Sequence, residues 1–110
     1  MKMSGISASS LSANECKTPA DVRQQIDRVD RALVALLAER WTYVDRIWHL
    51  KDNPEEAIVP WRIEEVIQRV RKHAEEGNLP PDFAEAVWRC IIQQGIEYEE
   101  EKIRLRNAQQ

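Results

Sequence analysis

From Ala20 to Asn53 the chain contains neither a proline nor a glycine. Over that stretch it repeats apolar side chains at the three-and-four spacing that gathers residues on one face of a helix. Counted from Val22, the stripe reads Val22, Ile26, Val29, Leu33, Leu36, Arg40, Val44, Ile47, Lys51. Two of its members are cations. Burying a charge without a partner costs several kcal/mol or more, so Arg40 and Lys51 are tenable on such a face only where something anionic meets them. A bound anionic ligand is the economical explanation.

Composition restricts what that ligand belongs to. With 110 residues, 43% of them hydrophobic and 32% charged, the chain has the size and make-up of one small globular domain. A formal net charge of -3 argues against a general nucleic-acid or anionic-membrane binder, because those need basic surface that outweighs the rest. A positive site here must be local. Cys16 and Cys90 form no disulfide framework, and His49 and His73 have no ligand-like spacing, so the expectation is no metal and no cofactor. No segment has the apolar length of a signal peptide or a membrane span, which makes the cytoplasm the default location.

Punctuation predicts an all-α chain of three helices, long, short and intermediate. Residues 1–16 are Ser- and Ala-rich and read as a flexible tail; the folded domain is expected over 17–110. Thr18-Pro19-Ala20-Asp21 supplies an N-cap, a proline at the first helical position and an acid at the third. The first helix should then run to Asp52-Asn53-Pro54, roughly 34 residues or about 50 Å. A second helix starts near Pro60 and stops at Gly77-Asn78, and a third runs from about Asp82 to Arg106. A helix of about 50 Å overhangs a globule of this mass, whose diameter is about 35 Å. Its stripe would be exposed, and the expected remedy is an obligate homodimer of interlocked helices.

Geometry then sorts the cations. On one continuous helix, Arg40 and Lys51 are 11 residues apart. That spacing is about 16 Å of rise and about 20° of rotation, so their side chains can converge on one small molecule. Arg23, 17 residues before Arg40, lies about 25 Å away and reaches the same ligand only from a partner subunit. Glu99 faces inward on the third helix with Trp88, Ile92 and Ile103, a setting that raises a carboxyl pKa unless nearby cations oppose it. Arg62, one turn before Val66, is a fourth cation among apolar positions. Taken singly each has a plain account: Arg23 as a solvated first-turn residue, Lys51 snorkelling at a helix end, Glu99 in an acidic solvated run. Only the joint pattern favours a site.

The segment DVRQQIDRVDRALVALLAERWTYVDRIWHLK resembles the opening helix of the all-helical, type II chorismate mutases and the related isochorismate pyruvate lyases. The resemblance extends over residues 20 to about 105. It implies an intertwined homodimeric three-helix fold in which Arg23 is donated across subunits. It further implies that Arg23, Arg40, Lys51, Arg62 and Glu99 bind a dianionic substrate, with Lys51, Glu99 and Arg40 catalytic and no cofactor required. Val59 and Ile63 stand where many mutases carry acids, and Gly95 where a serine is common, departures that resemble the lyase branch. Glu99 itself occupies a position that is Gln in one lyase of that branch. The implied reaction is the rearrangement of chorismate to prephenate or the cleavage of isochorismate to salicylate and pyruvate. A catalytically silent helical dimer that senses a chorismate-like ligand, and a plain interaction domain, are the non-enzymatic alternatives.

Overall fold

A computed structural model describes residues 10–57 and 59–109, and among them every regular element is helical. Three α-helices follow in order: α1, Pro19–His49; α2, Pro60–Glu76; α3, Pro81–Ala108. Short 3-10 turns occupy Ala13–Glu15 and Pro54–Ala57. The three expected helices are present, at 31, 17 and 28 residues.

The start of α1 follows from its cap. The Asp21 N–H donates to Thr18 Oγ1 at 3.1 Å, while Asp21 Oδ2 accepts from the N–H groups of Thr18 (3.2 Å) and Lys17 (2.9 Å). Reciprocal bonding of this kind satisfies donors that the first helical turn cannot. Part of the expected tail is also ordered. Ahead of the cap, Ser12 N–H bonds to Glu15 Oε1 at 2.8 Å and closes the Ala13–Glu15 turn. Residues 1–9 of that tail lie outside the described residues.

The far end of α1 differs from the sequence expectation. The helix ends at His49 with Leu50 in a turn, so Lys51 lies beyond it rather than on its stripe. Asp52 and Asn53 favour turns, and Pro54 biases the residue before it away from helical dihedrals. The helix nevertheless ends several residues before that proline.

Between α2 and α3 the chain reverses through a Schellman arrangement. Asn78 takes the left-handed conformation, φ 59°, and the Leu79 N–H reaches back to the Ala74 carbonyl at 2.8 Å. Asparagine, one of the few side chains that tolerates this region, fills the place that glycine usually takes. Gly77 sits one residue earlier at an ordinary negative φ.

The chain divides between Thr42 and Tyr43 into two compact units. In the first, the apolar stripe of α1 is open to solvent, with Leu33 51% and Leu36 58% exposed. Leu11, Ala13 and Cys16 line a groove there with Val22, Ile26 and Val29. In the second unit α2 packs along α3, burying Ile67 and Ala74 against Ala84, Ile96 and Ile103. Across the outer side of that pair, Arg71 binds Glu85 (2.7 Å) and Asp82 (3.0 Å), and Arg89 binds Glu85 (2.7 Å) and Glu64 (3.3 Å). Individually such surface pairs contribute little, but as a shared network they fix the register of α2 on α3. Phe83, in the first turn of α3, is 58% exposed. No helix among the described residues is long and apolar enough to cross a membrane, and both cysteines are free thiols.

Candidate active site

Gly95, Ile96, Glu99 and Ile103 form the buried face of α3. At Gly95 the rear of α1 comes near: a Cβ built there would lie 3.6 Å from Val44, an ordinary contact distance. One turn further along, Glu99 is 9% exposed, and its Oε1 accepts a hydrogen bond from Lys51 Nζ at 3.2 Å. The lysine side chain retains 20% of its exposure. Burial pushes the Glu99 carboxyl above the ordinary glutamate range, and the attraction and hydrogen bond of Lys51 only partly reverse it. A mostly covered ammonium hydrogen-bonded to a buried carboxyl is the chemical core of this region. The ammonium can donate to an oxygen that gains negative charge.

A second carboxyl nearby in sequence is driven the opposite way. Asp45 accepts from Tyr98 Oη at 2.5 Å and from Trp48 Nε1 at 2.8 Å, and these bonds hold its pKa below the usual aspartate value. The same contact pushes the Tyr98 phenol upward. The Asp45–Tyr98 bond ties the rear of α1 to α3, one residue along α1 from the Val44 contact.

Beyond Glu99, Arg106 in the last turn of α3 donates Nη1 to the Trp48 carbonyl at 3.1 Å. Its Nη2 donates to the carbonyls of Lys51 at 2.5 Å and Asp52 at 3.4 Å. The guanidinium carbon lies 5.7 Å from the Trp48 ring centroid. Asn107 Nδ2 adds a bond to the Asp52 carbonyl at 3.0 Å. Arg106, Asn107, Asp45 and Tyr98 were not singled out by sequence reasoning. A basic residue near a helix end is a recognisable signal, but the carbonyls it meets belong to a segment more than 50 positions away.

Of the five residues expected to form the site, Lys51 and Glu99 are in direct contact. Arg62 lies on the first turn of α2, 52% exposed, with Nη1 2.7 Å from Glu65 Oε1. Arg23 and Arg40 belong to the other unit, Arg23 exposed near the start of α1 and Arg40 half-buried. Among the described residues no group of three or more His, Cys, Asp or Glu is placed to hold a metal ion.

Residues 22–100 match the model of the family described as chorismate mutase type II. This chain belongs to that family. Among curated relatives it is 37% identical over 82 residues to a T-protein of Enterobacter agglomerans, covering 74% of this chain and 22% of that protein. It is also 31% identical over 78 residues to an isochorismate pyruvate lyase of Pseudomonas aeruginosa, covering 71% of this chain and 77% of the lyase. The chain thus spans about a fifth of one relative and about three quarters of the other. As a type II chorismate mutase family member, it carries its Lys51–Glu99 contact inside the matched segment, and Arg106 and Asn107 beyond it.

Proposed function

We propose that this protein is a chorismate mutase, catalysing the pericyclic rearrangement of chorismate to prephenate in a homodimer. The observation that carries the reading is the Lys51–Glu99 pair, a cation and a carboxyl whose pKa burial raises, side by side in a mostly covered setting. No covalent step, metal or redox cofactor is needed for such a reaction. Arg23, Arg40 and Arg62 would hold the substrate carboxylates through charge-assisted bonds and keep the molecule in its compact conformer. As the carbon–oxygen bond breaks, negative charge gathers on the ether oxygen, and Lys51 with protonated Glu99 stabilises it there.

The open stripe of α1 supports the dimer. Val22, Ile26, Val29, Leu33 and Leu36 are each more than 40% exposed in the single chain, a contiguous apolar face of the kind that soluble monomers avoid. Pairing with a second copy running antiparallel would cover that face. It would also bring Arg23 of one chain toward the site of the other.

A second reading, isochorismate pyruvate lyase, is favoured by the relative of that name and by the apolar residues Val59 and Ile63. Purified protein incubated separately with chorismate and isochorismate separates the two: prephenate is the expected product, and salicylate with pyruvate from isochorismate alone would replace the mutase reading with the lyase one. Saturable binding of either dianion without product would instead identify a sensing dimer. In the active protein, Lys51→Ala should lower turnover by about 100-fold or more, the usual consequence of losing a donor to a developing oxyanion. Turnover close to that of the parent would remove Lys51 from the chemistry.

A further inference from the structure

Lys51 lies outside the regular hydrogen-bond ladder of α1, so the helix alone does not fix its backbone. Its N–H reaches the Trp48 carbonyl only at 3.4 Å, and the last carbonyls of any helix lack partners within the helix. Those carbonyls are gathered by one side chain. Arg106 binds the oxygens of Trp48, Lys51 and Asp52, lies against the Trp48 ring, and is itself met by Asn107 Oδ1 at 3.3 Å from Nε. A planar guanidinium suits this task because its donors diverge in a fixed fork, and its charge is favourable at a helix C-terminus. Arg106 and Glu99 are seven residues apart on α3, two turns along one face. The same rigid helix therefore presents the carboxyl and grips the backbone of the lysine that meets it.

We propose that Arg106 is a positioning residue for catalysis: it anchors the turn after α1 and so holds the Lys51 ammonium within hydrogen-bond reach of Glu99 and of the substrate oxygen. This role rests on the mutase or lyase reading of the site, and it lies outside the segment that defines the family. Arg106 touches no reacting atom in this scheme. Its removal would let the turn relax, move the ammonium, and leave the Glu99 carboxyl with less of the attraction that now restrains its pKa.

The test compares Arg106→Lys and Arg106→Ala with the parent protein by chorismate turnover across pH, by thermal unfolding, and by carbon-13 carboxyl titration of Glu99, assigned with Glu99→Gln. The lysine variant keeps the positive charge and loses the fork, so it should fold and separate positioning from simple charge. The expected result in Arg106→Lys is kcat lower by about 10-fold, since small misplacements of a catalytic group are costly. The alkaline limb of the profile, and the Glu99 titration, should both move to higher pH. A lower melting temperature with unchanged kcat and an unmoved Glu99 titration would overturn the proposal in favour of a purely structural cap. A Glu99 shift in Arg106→Ala that is absent from Arg106→Lys would overturn it in favour of a direct charge effect. The carboxyl titration is readable even if neither substrate is turned over, so failure of the functional reading would be seen separately from failure of this one.

Discussion

The two stretches of α1 share one helix and one periodicity but have different surroundings. Between Val22 and Leu37 every large apolar member of the stripe is more than 40% exposed. Between Val44 and Trp48 the helix meets α3 at several points, although Ile47 stays 40% exposed: Val44 faces Gly95, Asp45 binds Tyr98, and Arg106 takes the Trp48 carbonyl. The difference teaches that an apolar stripe states which side of a helix must be covered and leaves open what covers it. At the rear the cover comes from the same chain. At the front, on the reading proposed above, it comes from a second copy.

The largest expected effect breaks the front of that comparison. Leu33→Glu would place two unpaired carboxylates at the proposed two-fold interface, each costing several kcal/mol if buried. Sedimentation velocity should show a monomer, with activity lost. A variant that sediments like the parent and keeps its activity would remove the front stripe from any interface.

The next effect probes the rear, at Glu99. Its folded-state pKa is raised, so the protonated form persists above the ordinary glutamate value of about 4.3 and is lost as pH climbs through the raised value. Activity should decline over that same rise, because an ionised carboxyl repels the developing oxyanion. Stability should decline too, since the folded chain binds the proton more tightly than the unfolded one in that window. Glu99→Gln should flatten both profiles, measured as kcat/KM and as melting temperature against pH. Unchanged slopes in the variant would exclude Glu99 from both.

The smallest expected effect sharpens the contact between Gly95 and Val44. A Cβ at position 95 would meet Val44 at 3.6 Å, an ordinary van der Waals distance. Gly95→Ala should therefore gain about 0.5–1 kcal/mol from the reduced freedom of the unfolded chain and from better helix propensity. Thermal unfolding checks this, and a fall in melting temperature would mean that α1 and α3 approach more closely than this spacing.

Much of the fold was legible because its signals are local. The Thr18-Pro19-Ala20-Asp21 cap, the Pro60 start of α2 and the Gly77-Asn78 stop each act within a few residues, and the elements begin and end close to them. The inward placement of Glu99 was legible for the same reason, as helical periodicity assigns a residue to a face. The end of α1 was not. Whether Leu50 and Lys51 continue the helix depends on competition between the ladder and the tertiary bonds of Arg106 and Asn107, and periodicity holds no information about that competition.

By itself the sequence determined three helices, their order and the inward-facing acid on the third, because these follow from interactions a few residues long. Only the tertiary structure decided that Lys51 leaves its helix, that it meets Glu99, and that the end of α3 holds the turn between them. Those contacts join residues about 50 positions apart, and their formation depends on packing and on satisfying stranded backbone carbonyls, which no local pattern specifies.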